Sequence, residues 1–94
     1  MKYFDWSELK NVSLKAQRGI GFEHILAAID EGGVLDDVAH PNRLKYPNQR
    51  VLVTLCRDYI YLIPYVEDDE KIFLKTIIPS RKATKQYMKG EYDG

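Results

Sequence analysis

The fold is decided by residues 51–66, Val51-Leu52-Val53-Thr54-Leu55-Cys56-Arg57-Asp58-Tyr59-Ile60-Tyr61-Leu62-Ile63-Pro64-Tyr65-Val66. Its two apolar runs are rich in β-branched and aromatic residues, which is typical of strands. Only Arg57 and Asp58 separate the runs, and two residues are the length of a tight hairpin turn. The stretch therefore predicts an antiparallel hairpin. In its second strand, alternation places four side chains on one face: Tyr59, Tyr61, Ile63 and Tyr65.

The chain after this hairpin extends the sheet and then leaves it. Residues 67–70 are four consecutive carboxylates and predict an acidic turn. Residues 71–78 predict a third strand. The pair Pro79-Ser80 then ends the sheet, because proline cannot donate to a strand ladder and serine favours helix N-caps. We expect a last helix over residues 81–89, ended by Gly90.

A first helix is predicted over residues 7–17, before the hairpin. Its apolar positions recur at helical spacing, which predicts a buried stripe made of Leu9, Val12 and Ala16, with Leu14 nearby. Asp5 followed by Glu8 has the spacing of a capping box. Gly19 suits the left-handed residue just past a helix end.

A second helix is predicted over residues 22–31. Its buried stripe consists of Phe22, Ile25, Leu26 and Ile29, and Gly32-Gly33 end it. The joint Gly19-Ile20-Gly21 is short. We therefore expect the two helices to pack as a hairpin.

The segment between the helices and the sheet carries weaker signals. Val34-Leu35 and Val38 predict a short strand, which Asp36-Asp37 weaken, and residues 41–49 have the composition of a loop. The whole chain, residues 1–94, is then predicted to be a single α+β domain. It has an N-terminal helical hairpin, a three- to four-stranded antiparallel sheet and a C-terminal helix. One face of the sheet packs against the helices, and the other is open.

Composition excludes several classes of protein. Ninety-four residues, 45% apolar and 30% charged, are the balance of one small globular domain rather than of a disordered chain. No apolar run approaches the roughly 20 residues of a membrane span, and the first residues lack the apolar region of a signal peptide. We therefore expect a cytoplasmic protein with no membrane partner. Cys56 is the only cysteine, so a disulfide and a paired-thiolate zinc site are excluded, and we expect no metal and no cofactor.

The charge is balanced overall but unevenly distributed. Fourteen basic and fourteen acidic residues cancel, which argues weakly against nucleic acid as a partner. Residues 31–70 carry four cations against eight carboxylates, whereas residues 71–94 carry six cations against two. A locally positive surface is therefore compatible with zero net charge. The alternative interpretation of this positive surface is a solvated basic face without a function.

The basic and aromatic residues are the candidates for chemistry. Arg50 begins a predicted strand and Arg81 follows another, and we expect both to reach one phosphate. Lys82 lies in the same helix turn as Arg81, where free backbone amides favour an anion. His40 has a side chain that exchanges a proton near neutral pH. Tyr65 can stack on a base or anchor a partner protein.

Three segments resemble the BrnT family of toxins. The family opens with Phe-x-Trp-Asp-x-x-Lys-Asn, and this chain has Phe4-Asp5-Trp6-Ser7-Glu8-Leu9-Lys10-Asn11. After a helix the family has a basic residue, Gly, Val or Ile, Ser and Phe-Glu, and this chain has Arg18-Gly19-Ile20-Gly21-Phe22-Glu23. Near its end the family has Ile-Ile-Ser-Ala-Arg-Lys-Ala-Thr, and this chain has the similar segment Ile77-Ile78-Pro79-Ser80-Arg81-Lys82-Ala83-Thr84. Gln49-Arg50 and the following Val51-Leu52-Val53 stand where the family has Glu-Arg and a strand. The chain differs at four positions: Ser7, Gly21, Thr76 and Pro79.

BrnT proteins belong with the RelE-like toxins of bacterial type II toxin–antitoxin systems. The resemblance implies an endoribonuclease that inhibits translation and is neutralised by a small antitoxin of the ribbon-helix-helix type. It implies contact with DNA only through the antitoxin complex. It also implies that Arg50, Arg81 and Lys82 match the family's basic site and that Tyr65 lies near an aromatic position.

Metal-free RNA cleavage by attack of the 2′-hydroxyl needs a base, an acid and positive charge at the phosphorane. We assign Arg50 and Arg81 to stabilisation of the phosphate, with Lys82 assisting. His40, Lys45 or Tyr65 handles the protons.

The residues expected to bind RNA are Arg43, Lys45, Lys75 and Lys85. Two other classes of function stay open. One is a non-catalytic protein-interaction module, a degenerate toxin that only binds a partner protein. The other is a protein that binds nucleic acid without cutting it.

Overall fold

The structure is a computed structural model that describes residues 2–88. Its elements are β1 (Tyr3–Trp6), α1 (Glu8–Arg18), α2 (Phe22–Asp30), β2 (Val34–Ala39), β3 (Arg50–Cys56), β4 (Tyr59–Glu67), β5 (Lys71–Leu74), β6 (Ile78–Pro79) and α3 (Arg81–Tyr87). The predicted α+β class is confirmed. No helix among residues 2–88 is long and apolar enough to cross a membrane.

The predicted hairpin is confirmed as β3 and β4. The two strands pair antiparallel from Arg50 opposite Tyr65 to Cys56 opposite Tyr59. Arg57 and Asp58 form the turn with φ angles of 55° and 62°. Both residues lie in the left-handed region that a type I′ turn requires, although neither is glycine.

The sheet is mixed and larger than predicted. Its order is β1-β5-β4-β3-β2, with β6 also paired to β4. The expectation of three to four antiparallel strands is wrong because β1 was missed, and β1 runs parallel to β5. Four residues are too few for a clear period, and the partner strand lies near the other end of the chain.

The predicted third strand is divided in two. β5 pairs with β4 where Leu74 lies opposite Tyr65, and β6 pairs with β4 where Ile78 lies opposite Leu62. Between them the Lys75 N–H donates to the Pro64 carbonyl at 2.8 Å. The predicted acidic turn is present, and Asp68 accepts hydrogen bonds from the backbone N–H groups of residues 70 and 71.

Helix α1 has nearly the predicted bounds but the wrong buried side. Leu9 and Val12 are 86% and 61% exposed, whereas Asn11 and Leu14 are buried. The apolar period failed as a guide because a polar residue occupies the centre of the buried face. The cap also differs from the prediction: Ser7 is the N-cap, and its Oγ accepts from the Lys10 N–H, whereas Asp5 belongs to β1.

The core lies between the sheet and the first two helices. Phe22 and Ile25 of α2 are fully buried there, as predicted, and Trp6 stacks on Phe22 with ring centroids 5.6 Å apart. Sheet residues of the same cluster include Ile63 and Tyr65. We call this side of the sheet the α2 face, because α2 packs on it.

The opposite side of the sheet is not fully open, contrary to the prediction. Helix α3 covers part of it, and the Thr84 Oγ1 accepts a hydrogen bond from the Ile60 N–H at 2.9 Å. Ser80 is the N-cap of α3, as predicted, because its Oγ accepts from the Ala83 N–H. The predicted helix end at Gly90 lies outside the described residues. We call this side the α3 face.

Asn11 joins α1 to α2 through its buried amide. Its Oδ1 accepts from the Phe22 N–H at 2.8 Å, and its Nδ2 donates to the Glu23 carboxylate at 3.0 Å. Lys15 forms an ion pair with the same carboxylate at 2.8 Å. A Cβ on Gly21 would meet the ends of the Lys15 and Glu23 side chains and lie 2.7 Å from the Asn11 Oδ1, so a larger residue there would displace the side chains of this joint.

This joint predicts an acid-sensitive contribution to stability. Hydrogen bonds from Lys15 and then Asn11 lower the pKa of Glu23 below its ordinary 4.5. The unfolded chain therefore binds the proton more tightly than the folded chain. The stabilisation is complete above about pH 4.5 and is lost as the pH falls through the lowered value. In urea unfolding at a series of pH values, Glu23→Gln should lose less stability on acidification than the parent chain.

Glu70→Gln is the matched control, since the Glu70 side chain makes no hydrogen bond or ion pair to residues 2–88. It should keep the parent's dependence on pH. Equal dependence on pH in the Glu23→Gln and Glu70→Gln chains would contradict the role of the joint.

A second prediction concerns Thr54, whose buried hydroxyl has no hydrogen-bond partner among residues 2–88. Thr54→Val keeps the shape and removes the unpaired group, so the free energy of unfolding should rise by about 1 kcal/mol. Thr84→Val is the opposite control, because the Thr84 hydroxyl bonds both Ile60 and Ser80, and it should lose about 1–3 kcal/mol. Melting temperatures of the two variants would test this. A lower value for Thr54→Val would contradict it.

Candidate functional site

Three side chains meet where β2, β3 and β4 lie side by side. Arg50 pairs with Tyr65 across β3 and β4, and with Ala39 across β2 and β3. Asp37 lies two residues before Ala39, so its side chain points to the same face. All three are on the α2 face, and we call them the Arg50–Asp37–Tyr65 cluster.

The cluster is held by four hydrogen bonds to Asp37. The Arg50 Nε donates to the Asp37 Oδ1 at 3.0 Å, and the Arg50 Nη2 donates to the Asp37 backbone carbonyl at 2.9 Å. The Tyr65 hydroxyl donates to both carboxylate oxygens at 2.8 and 2.9 Å. The Arg50 Nη1 makes no hydrogen bond to residues 2–88, and the Arg50 side chain is partly exposed.

Burial and charge fix the protonation of the cluster. Burial, followed by the hydrogen bond to Asp37, raises the pKa of Tyr65 to about 12. The phenol therefore keeps its proton at neutral pH and acts as a donor. The Asp37 carboxylate raises the pKa of Arg50. The side chains of Arg50 and Asp37 are 46% and 43% exposed, whereas Tyr65 is buried, so solvent reaches the cluster from the side of Arg50 and Asp37.

Arg81 and Lys82 lie elsewhere. They begin α3, next to the level of Ile60 on β4, because the preceding Ser80 N–H donates to the Ile60 carbonyl. Arg50 lies at the level of Tyr65 on the same strand. Five residues of strand separate these two levels of β4, which is about 16 Å. β3 and β6 also lie on opposite sides of β4.

The expected convergence of Arg50 and Arg81 on one phosphate is therefore wrong. In a meander, the first and third strands run in the same direction. The start of the first strand and the end of the third therefore lie at opposite ends of the sheet. The Arg50 guanidinium is also turned towards Asp37 on β2, away from β6.

His40 lies on the α3 face, opposite the cluster. Its Nδ1 accepts from the Asn42 N–H at 3.0 Å, and its ring lies 4.6 Å from that of Tyr46. It lines an apolar groove of about 200 Å³ with residues that include Val38, Pro41 and Pro64. His40 is therefore not placed beside Arg50 or Tyr65 for proton transfer.

The four cations expected to bind RNA lie on three separate segments. Arg43 and Lys45 belong to the connection between β2 and β3, and the Lys45 Nζ lies 5.3 Å from the Tyr46 ring. Lys75 follows β5, with its Nζ 5.6 Å from the Phe73 ring. Lys85 is exposed on α3. Their dispersal indicates no single basic patch built from these four residues.

Two further features lie apart from the predicted residues. A cleft of about 450 Å³ at the turn of the β3–β4 hairpin is lined by Cys56 and Arg57, among others. Burial raises the pKa of the Cys56 thiol, which keeps it protonated. Residues 2–88 contain no group of three or more His, Cys, Asp or Glu side chains placed to hold a metal ion.

Sequence reasoning missed Asp37, the residue at the centre of the cluster. From the sequence alone, Asp37 is only a polar residue that weakens a short strand. The sequence does place two adjacent carboxylates, Asp36 and Asp37, within a predicted apolar strand, and carboxylates in such a strand need polar partners. Finding those partners required the register of β2 on β3.

No family model, curated protein or solved structure matches this chain.

Proposed function

We propose that this chain is the toxin of a bacterial type II toxin–antitoxin system, with a RelE/BrnT-like arrangement, and that it cleaves RNA in the cytoplasm without a metal. One observation carries the proposal. Arg50 and Tyr65, two of the residues predicted for catalysis, meet on the Asp37 carboxylate, where Arg50 and Asp37 are partly exposed and Tyr65 is buried. The resemblance of three segments to BrnT toxins supports it. The expected partner is an antitoxin of the ribbon-helix-helix type.

The cluster supplies each group that the reaction needs. Asp37 accepts the proton of the ribose 2′-hydroxyl, whose oxygen forms a bond to the adjacent phosphorus. The bond from phosphorus to the 5′-oxygen breaks, and that oxygen takes the Tyr65 proton. Arg50 stabilises the phosphorane. The products are a 2′,3′-cyclic phosphate and a 5′-hydroxyl. The proton that Asp37 has taken then passes to the Tyr65 oxygen 2.8 Å away, which restores both groups.

The pairing of Arg50 with Asp37 favours the transition state over the ground state. Before reaction, the Asp37 carboxylate offsets the Arg50 charge at 3.0 Å. When Asp37 takes the 2′ proton it becomes neutral, just as negative charge develops on the phosphorane. The Arg50 charge then acts on the phosphorane alone, and such selective stabilisation raises the rate.

The direct test is cleavage of RNA by the purified chain in the presence of a chelator. We expect fragments that end in a 2′,3′-cyclic phosphate. Arg50→Ala and Tyr65→Phe should each slow cleavage by about 10²–10³-fold. Arg81→Ala measures whether the basic residues of α3 contribute separately.

Lys10→Ala is the control, because Lys10 is exposed and its side chain has no hydrogen bond or ion pair to residues 2–88. It should cleave RNA at the parent rate. Melting curves would establish that the variants remain folded. Cleavage at the parent rate by folded Arg50→Ala and Tyr65→Phe would refute the assignment of the cluster.

A second candidate is a non-catalytic module that only binds a partner protein. The observation that favours it is the neutralised state of Arg50, since the guanidinium is occupied by Asp37 and Arg81 lies far along the sheet. A module of this kind leaves RNA intact under the conditions above. It still forms a stable stoichiometric complex with a ribbon-helix-helix protein encoded beside it.

A further inference from the structure

The β2 strand contains a β-bulge just before Asp37. Its ladder with β3 skips Leu35, because the residues on either side of Leu35 pair with the neighbouring residues Thr54 and Val53. A slip of one residue turns every later side chain of a strand to the other face of the sheet. Without the bulge, Asp37 would point to the α3 face. The bulge therefore places Asp37 on the α2 face, where it meets Arg50.

The Asp36 side chain bridges this bulge to α3. Asp36 follows the skipped residue and points to the α3 face, opposite to Asp37. Its Oδ1 accepts a hydrogen bond from the Asp37 N–H at 2.8 Å, and its Oδ2 accepts one from the Tyr87 hydroxyl at 3.3 Å. One carboxylate therefore holds both the backbone of β2 and the last residue of α3.

Tyr87 is held in turn by α3, which crosses the sheet. At the start of α3, the Ser80 N–H donates to the Ile60 carbonyl, and the Thr84 Oγ1 accepts from the Ile60 N–H. Ile60 belongs to β4, whereas Tyr87 at the other end of α3 reaches Asp36 on β2, two strands away. Partial burial and then the Asp36 carboxylate raise the pKa of Tyr87, so its hydroxyl keeps the proton at neutral pH and remains the donor.

Asp37 is thus held at both backbone groups as well as at its carboxylate. Asp36 accepts from its N–H, and the Arg50 Nη2 donates to its carbonyl at 2.9 Å. The orientation of this backbone sets the direction in which the Asp37 side chain leaves the strand. Catalytic groups must lie within about 0.5 Å of their productive geometry, and a displacement of about 1 Å can cost a factor of about 10² in rate.

We propose that Asp36 and Tyr87 are positioning residues for the cleavage of RNA. From the α3 face they hold the backbone of Asp37, so that its carboxylate stays in the cluster on the α2 face. Their side chains act through Asp37 rather than on RNA. This role rests on the proposed function, because a positioned base affects the rate only if the cluster cuts RNA. The position of Asp37 itself is measured without RNA.

The first test compares Asp36→Ala with Asp36→Asn, which keeps an oxygen acceptor for the Asp37 N–H. Asp36→Ala should lower kcat by about 10–100-fold with little change in KM, because Arg50 still binds the phosphate. Asp36→Asn should restore most of the rate. A role in folding alone would instead lower the melting temperature and leave kcat of the folded chain unchanged.

The second test is NMR of the free chain. The Arg50 Nε–H donates to the Asp37 Oδ1 at 3.0 Å, so its exchange with water should be slow in the parent and in Asp36→Asn. It should be at least about threefold faster in Asp36→Ala, where Asp37 is no longer held. A parent chain that leaves RNA intact would refute the proposed function, and these exchange rates then decide the positioning role alone.

Tyr87→Phe is the mildest variant, since it removes only the hydroxyl. It should lower kcat by about 2–10-fold, as expected for the loss of one hydrogen bond, and speed exchange at the Arg50 Nε–H. Tyr3→Phe is its matched control, because Tyr3 is exposed and its hydroxyl makes no hydrogen bond to residues 2–88. The parent kcat or the parent exchange rate in folded Asp36→Ala would overturn the proposal. Identical behaviour of Tyr87→Phe and Tyr3→Phe would remove Tyr87 from it.

Discussion

A single buried amide determines how the helices meet the sheet. The Asn11 side chain satisfies the first N–H of α2 and holds the Glu23 carboxylate, so the start of α2 is fixed against α1. A buried amide in this position is costly unless every polar atom is paired. Once α2 is fixed, Phe22 is buried against Trp6 of β1. The α2 face is then filled up to Tyr65, whose hydroxyl lies at the edge of the core and bonds Asp37, the partner of Arg50.

The motifs that carry the BrnT resemblance therefore divide into two physical groups. Asn11, Gly21 and Glu23 build the helix joint, and Ser80 caps α3. The Arg18 guanidinium donates to the Ile77 carbonyl at 2.9 Å and so links the first motif to the last. These residues stabilise the fold of this chain and lie outside the Arg50–Asp37–Tyr65 cluster. Of the residues in these motifs, Arg50 alone belongs to the Arg50–Asp37–Tyr65 cluster. The functional part of the resemblance therefore depends on this one side chain.

Local patterns predicted what local interactions decide. The β3–β4 hairpin, the Gly19 helix end and the Ser80 cap depend on neighbours in sequence, and the structure has all three. The buried side of α1 was mispredicted because Asn11 is buried for its hydrogen bonds rather than for its hydrophobicity. The parallel pairing of β1 and the role of Asp37 depend on contacts between distant segments, which periodicity does not report.

Arg50 connects the cluster to β2, the last strand in the order of the sheet. One guanidinium bonds both the carboxylate and the backbone carbonyl of Asp37, so the group that would stabilise a phosphorane also holds the backbone of β2. An anion at Arg50 would have to compete with these two acceptors. Any binding event that draws Arg50 away from Asp37 would therefore also loosen β2, which ties the chemistry of the cluster to the stability of this strand.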